Sequence, residues 1–261
     1  MDKEKLIKHL TNVQDKLLII RILEKADKSI QQYIPYHTDF LDPYQINMGI
    51  KSLVQVHEIE YRIFGGVENA ERSILTIYPD TMREEDVENP VGAIRIHGNF
   101  FKSDIQHRDV LGSVLGLGIK REKIGDILVG EGTIDLIAFK EICDFICISL
   151  EKISRYKVSV TPVSFQELMQ PIEQFKYVSG TVNSLRLDSV IALGFGESRT
   201  QISKFIHGDA IKVNWKPVKN LAAEVKAGDI ISLKGKGRII LEEVGDRTKK
   251  ERLKVMIKKL L

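Results

Sequence analysis

The chain of 261 residues carries 39 Lys and Arg against 36 Asp and Glu, with 43% apolar and 29% charged residues. That is the composition of an ordinary globular chain able to form two or three small cores, and no run approaches the roughly 20 apolar residues of a membrane span, which excludes stable helical insertion in a membrane. The net charge of +3 hides an asymmetry: residues 181–261 hold 17 Lys and Arg against 9 Asp and Glu, while residues 1–180 hold 22 against 27, so a polyanion is drawn to the C-terminal part.

In chain order, the opening MDKEKLIKHL mixes acid and base without an apolar stretch and predicts no secretory signal, hence a cytoplasmic location. Residues 1–72 are expected to be helical. Leu6, Leu10, Val13, Leu17, Ile20 and Leu23 recur at helical steps, and Tyr44 to Val56 continues the pattern after Asp42-Pro43 until Gly65-Gly66 breaks it. Residues 73–178 alternate short Ile- and Val-rich runs (SILTIYP, VGAIRIHG, DILVG, TIDLIAF) with helical segments (TMREEDVEN, DIQHRDVLGSVLGLGI, KEICDFICISLEKISRY), the pattern of a small α/β domain. Cys143 and Cys147 are the chain's two cysteines and have no histidine near them, so they predict core thiols and no zinc site. The passage SVTPVSFQELMQPIEQFKYVSG is expected to carry the chain into a last domain at 181–261.

That last domain is the most informative part. Leu187, Val190 and Ile191 form one helical face, and Gly194 and Gly196 close the helix. A second helix starts at Ser198, which with Gln201 makes an S-x-x-Q capping box. Ile202, Phe205 and Ile206 then point inward and Gly208 ends the turn, which leaves Thr200, Lys204 and His207 outward with Arg199 beside the helix start. Free N–H groups and the dipole at such a start favour a phosphate. Ile211, Val213 and Trp215 alternate with Lys212, Asn214 and Lys216 as a half-buried strand, and Ile230, Ile231 and Leu233 open another that runs into Lys234-Gly-Lys236-Gly-Arg238, whose cations suit a phosphate chain.

The ordered string R-L-D, S-R-x-Q, K-x-I-x-x-G, V-x-V-N and G-D-x-I resembles the ribosomal protein S4 type of RNA-binding domain. In that family two short helices and a sheet present a basic face to structured RNA, in ribosomal proteins, tyrosyl-tRNA synthetases, pseudouridine synthases and a heat-shock ribosome-rescue protein. The resemblance implies RNA-facing roles for Arg186, Ser198, Arg199, Thr200, Gln201, Lys204, Lys212 and Asn214. One departure is Asn214-Trp215 where the family often has Asn-Gly; Trp215 is then either an exposed ring that stacks on a base or a core residue.

Catalytic patterns upstream are incomplete. His107-Arg108-Asp109 imitates a kinase triplet, but Val114 stands where asparagine belongs, and Gly116-Leu-Gly118 meets Arg121 where a third dinucleotide-loop glycine belongs. FLDPYQ, GGVENAERSIL, HRDVLGSVLGLGIKREKIGDILV and the VNSLRLD module together resemble the YlmH family of bacterial S4-domain proteins, encoded in many Gram-positive bacteria near division genes. This resemblance covers the whole chain. It implies an α+β architecture: an N-terminal helical region, a middle domain similar to an RNA-recognition fold (RRM-like) and a C-terminal S4-type domain. It also implies a non-enzymatic factor whose partners are rRNA, tRNA and large ribosomal subunits carrying obstructed peptidyl-tRNA, in ribosome-associated quality control.

In the middle domain His107, Arg108, Lys120, Arg121 and Lys123 form a candidate cationic rim for a second RNA contact, while Tyr78, Phe100, Phe101 and Phe139 are the aromatics available for stacking. The tail GDRTKKERLKVMIKKLL fits either an amphipathic basic helix or a strand, and the family favours the strand. No cofactor, metal or small-molecule substrate is expected, and the chain is expected to be a monomer. Two other readings stay open: an RNA-modifying enzyme using Asp109 or Asp126, and a division-linked scaffold that touches membrane through a tail helix.

Overall fold

The computed structural model describes residues 10, 12–101, 104–170, 175–203, 205 and 210–260, without the side chains of Arg199 and Ser203. It divides into two compact units, residues 1–171 and 172–261.

The first unit opens with α1 (Val13–Gln32), β1 (Tyr36–His37), α2 (Pro43–Leu53), β2 (Ile59–Phe64) and β3 (Ile74–Pro79). Asn12 caps α1, and Asp42 with Gln45 makes a reciprocal capping box at α2 with Pro43 in the first turn, where a missing N–H costs nothing. The buried face of α1 is Ile19, Ile22, Leu23 and Ala26, whereas Val13 and Leu17, expected on that face, are exposed. The opening section is also not wholly helical, because IEYRIF forms β2. The strand SILTIYP was expected in the middle domain; it pairs with β1 and β2 in a three-stranded antiparallel sheet of order β1-β3-β2. Its reading as a middle-domain strand has a physical reason: both faces of β3 are buried, Leu75 and Ile77 against the α1–α2 helices and Ile74 against Phe40, Val91, Ala93 and Ile137.

The same unit continues through β4 (Val91–Gly98), α3 (His107–Gly116), β5 (Ile124–Val129), β6 (Thr133–Phe139), α4 (Lys140–Ser149), β7 (Lys152–Ile153) and β8 (Tyr156–Pro162). The five strands lie in the order β5-β6-β4-β8-β7, all neighbours antiparallel. This is the βαββαβ arrangement of the RRM-like expectation. Two expected helical stretches shrink: TMREEDVEN keeps one short 3-10 turn at Glu84–Asp86, and the end of KEICDFICISLEKISRY becomes β7 and the start of β8. Val110 and Val114 of α3 and Cys143 and Ile146 of α4 cover one sheet face, built from Ile94, Ile96, Ile134 and Leu136. The other face is closed over Val91, Ala93 and Ile137 by Phe40, Ile74, Phe165 and Leu168. Beside that closure Arg95 donates to both oxygens of the fully buried Asp135 at 2.7 and 2.8 Å, and the Met169 amide donates to Asp135 at 2.7 Å.

Burial also decides the chemistry of the two thiols. It pushes the Cys143 thiol up to about 12, with Cys147 adding to the shift, and raises Cys147, which is half-buried. Because the thiolate is the nucleophile, Cys143 is expected to resist iodoacetamide at pH 8 in the native protein and Cys147 to react slowly. Both should alkylate after denaturation, as peptide mass spectrometry will show.

The second unit holds β9 (Phe175–Val182), α5 (Leu187–Phe195), α6 (Arg199–Ser203), β10 (Ile211–Val213), β11 (Lys216–Pro217), β12 (Ile230–Leu233), β13 (Gly237–Arg247) and β14 (Leu253–Leu260). The strands make a six-stranded antiparallel sheet of order β11-β10-β12-β13-β14-β9. The tail is therefore a strand, and FKYVSGTV, expected in a connecting passage, pairs along its whole length with β14 from Phe175 opposite Leu260 to Val182 opposite Leu253. Helix α5 lies close on the sheet through two glycines. A Cβ on Gly194 would stand 2.6 Å from Ile239 and one on Gly180 would stand 2.6 Å from Leu193, separations that no side chain tolerates without repacking.

Candidate nucleic-acid interface

The site begins with how α5 and α6 are held. Leu187, Val190 and Ile191 of α5 and Ile202 of α6 are fully buried on the sheet with Ile231, Leu241 and Ile257. Gly196, at φ +67°, takes the left-handed C-cap that a Cβ disfavours, and its N–H donates to the Ala192 carbonyl. Two residues later the expected capping box is present: the Gln201 N–H donates to Ser198 Oγ at 3.2 Å, and Gln201 Oε1 accepts from the Ser198 N–H at 2.9 Å and hydroxyl at 2.8 Å. Ser198 and Gln201 thus fix the turn between the helices rather than projecting from it. Thr200 is exposed on the first turn of α6. Lys204 and His207, like the Arg199 side chain, lie outside the described residues, as do Ile206 and Gly208. Arg186, at the start of α5, donates through its guanidinium to both Asp188 oxygens at 3.2 and 3.0 Å, which raises the guanidinium pKa and leaves that side chain about half exposed.

The strands add cations. Lys212 of β10 is half-buried, and Lys216 and Lys234 are exposed; among the described residues none of the three makes an ion pair. Lys236 reaches Glu197 at 2.6 Å, which ties the β12–β13 turn to the second residue after α5. Gly235 and Gly237, at φ +79° and +99°, make that turn possible. Asn214 and Trp215 form the two-residue β10–β11 turn with φ +49° and +63°, the geometry normally given to Asn-Gly. The Asn214 side chain donates to Asp229 and accepts from the Ile230 N–H, both at 2.9 Å, so it locks the turn to β12. Trp215 is half-buried in a conformation a bulky side chain rarely adopts, and its buried indole N–H has no partner among the described residues. The Arg238 guanidinium sits 5.9 Å over its ring.

The second candidate group does not gather into one rim. His107 and Arg108 stand exposed at the start of α3 and Lys120 stands exposed beyond its end, and the helix between them is about 15 Å long at 1.5 Å per residue. Arg121 turns inward and donates to the Ile124 carbonyl at 2.6 Å; burial, with Arg72 nearby, lowers its pKa to about 10. Lys123 pairs with Asp39 at 2.9 Å and lies 4.7 Å over the Phe139 ring. Of the aromatics named for stacking, Tyr78, Phe100 and Phe139 are buried, and Phe101 is exposed. Both aspartates considered as catalysts hold backbone. Asp109 accepts from the Gln106 N–H at 2.9 Å, and Asp126 accepts from the Glu71 and Arg72 N–H groups at 2.7 and 3.0 Å. Among the described residues no cluster of His, Cys, Asp and Glu could hold a metal, and no helix is long and apolar enough to cross a membrane.

Family comparison follows this division of the chain. Residues 14–82 match the family described as "YlmH, N-terminal", residues 83–167 the "Putative RNA-binding domain in YlmH", and residues 185–231 the S4 domain. The chain is 32% identical over 227 residues to the ribosome-associated protein quality control protein P2 of Bacillus subtilis, covering 86% of this chain and 87% of that protein. It is 34% identical over 93 residues to the small ribosomal subunit protein uS4 of a Thermoanaerobacter species, covering 34% of this chain and 45% of that protein. The solved structure of cell division protein ylmH from Streptococcus pneumoniae, 23% identical, superposes with a TM-score of 0.54 over 61% of this chain and 96% of that one, a likeness of fold. With all three segments matched in order and the Bacillus subtilis relative aligned along most of both chains, this protein belongs to the YlmH family of S4-domain proteins.

Proposed function

We propose that the protein is a non-enzymatic RNA-binding factor that grips folded rRNA and tRNA on the large ribosomal subunit and acts in ribosome-associated quality control of stalled peptidyl-tRNA. The observation that carries this reading is the capped α5–α6 pair with Lys216 and Lys234, which make no ion pair among the described residues, in the same basic unit, within a segment similar to a ribosomal protein. Fixed helix ends and lysines held on strands are suited to phosphates, which position a protein on RNA without reading its sequence. The name of the Bacillus subtilis relative points to ribosome-associated protein quality control as the setting. By motif Arg199, Lys204 and His207 join these contacts, and Arg186, Thr200 and Lys236 are further candidates. His107, Arg108 and Lys120 are the exposed members of the second group and the candidates for a further RNA contact.

Binding by phosphate neutralisation is salt-dependent, with a slope that counts the contacts made. Co-sedimentation with purified large subunits across a salt series is therefore the test. The Lys216→Ala/Lys234→Ala variant should bind more weakly at each salt concentration and with a slope shallower by about two units. Binding that matches the wild type throughout the series would reject the assignment.

A further inference from the structure

Helices α5 and α6 cover one face of the six-stranded sheet, through Ile211, Ile231, Leu233, Ile239, Leu241, Val255 and Ile257. Strand residues alternate between faces, so the residues between these belong to the opposite face. The registers align them in rows: Tyr177 opposite Lys258, Lys258 opposite Ile240, and Ile240 opposite Ile230. Next to that row, Phe175 lies opposite Leu260, and Arg238 lies opposite Ser232, which lies opposite Lys212.

At the β9 end of this face two aromatic rings stand in solvent. Phe175 is 41% exposed and Tyr177 is 53% exposed, and their centroids lie 5.3 Å apart, edge to face. The Lys258 ammonium sits 4.4 Å over the Phe175 ring. Toward the other end, Arg238 lies over Trp215, with Lys212 two strands away across Ser232. From β9 to β10 the face crosses four strand spacings, about 19 Å at about 4.8 Å each. Adjacent exposed rings with cations over and beyond them are the elements that recognise unpaired nucleotides: each ring offers a π-face to a base, and the cations follow the phosphates. The acidic Glu243 lies in another row, opposite Met256, and leaves the two aromatic rows basic.

We propose that this face, turned away from α5 and α6, binds an unpaired stretch of RNA, with bases stacked on Phe175 and Tyr177 and the backbone running past Lys258 and Arg238. It rests on the RNA-binding reading above and adds to it a second, differently built surface, for single strands rather than folded RNA.

The test uses the full-length protein, a fluorescein-labelled oligo(A) RNA and a labelled RNA hairpin, with binding followed by anisotropy. Stacking contributes about 1–3 kcal/mol per base, so Phe175→Leu/Tyr177→Leu, which keeps apolar bulk and removes both rings, should weaken oligo(A) binding at least about tenfold. Hairpin binding should stay at the wild-type level. Lys258→Gln/Arg238→Gln, with rings intact, should make oligo(A) binding less salt-dependent, so the proposal stays testable if the leucine variant melts early. Oligo(A) binding unaltered in both variants overturns the proposal, and so does hairpin binding without oligo(A) binding, which leaves the reading above in place. Failure to bind either RNA overturns both. A wild-type dimer in sedimentation velocity that the leucine variant turns into a monomer, with oligo(A) binding intact, reassigns the face to self-association and also overturns it.

Discussion

Replacing Arg199 and Lys204 together by alanine is expected to reduce affinity for large ribosomal subunits by about a hundredfold, each charge-assisted contact contributing about 1.5–3 kcal/mol. The expectation comes from their positions. Arg199 opens α6 directly after the cap residue Ser198, and Lys204 follows five residues on in the sequence. The salt slope should fall by about one unit for each phosphate released. Two lysines of the first unit that already sit in ion pairs provide the contrast: Lys123, paired with Asp39, and Lys140, paired with Glu88 at 3.1 Å, should leave subunit binding nearly unchanged when replaced by glutamine. Equal losses from the two pairs would mean that general positive charge, rather than the C-terminal surface, drives association.

The second large effect concerns stability. Asp135 is fully buried at the middle of the sheet face that an RNA-recognition fold would leave open, and its oxygens accept from Arg95 twice and from the Met169 N–H. Arg95 also donates to the Glu167 carbonyl at 2.6 Å, so the pair fastens the segment that covers the sheet. Asp135→Ala leaves the guanidinium half-desolvated without a counter-ion and the Met169 N–H without an acceptor. Breaking a buried pair from one side costs about 3–5 kcal/mol, whereas replacing both partners by apolar residues is often close to neutral. Asp135→Ala is thus expected to lower the melting temperature of the first unit by about 10 °C, and Arg95→Met/Asp135→Leu to recover most of that loss. A single variant melting within about 2 °C of wild type would show that the pair adds little to holding the cover in place.

What could be read from the sequence divides along the range of the interactions. The capping box at Ser198–Gln201 and the buried triplet Leu187, Val190 and Ile191 were legible because each depends on residues within four positions. The face of α1 was misread because Ile19, Ile22 and Ala26 are buried by β3, some fifty residues on, while the equally periodic Val13 and Leu17 meet no such partner. β9 was missed for the same kind of reason. Its partner β14 lies at the other end of the domain, and Ser179-Gly180 reads locally as a break, although Gly180 is where Leu193 packs onto the strand. With β9 unread, Phe175 and Tyr177 carried no signal; the alternation Phe175, Tyr177, Ser179 against Lys176, Val178, Gly180 was the available clue. At Trp215 the sequence left two readings open, and the residue takes neither cleanly: it is half-buried, in a left-handed turn, beneath Arg238.

The most direct examination of the central claim is cryo-electron microscopy of the protein bound to large subunits that carry peptidyl-tRNA. The account predicts α6, Lys216 and Lys234 within hydrogen-bonding reach of rRNA or tRNA phosphates. A complex in which that side of the second unit faces solvent while the protein is held through other surfaces would contradict it.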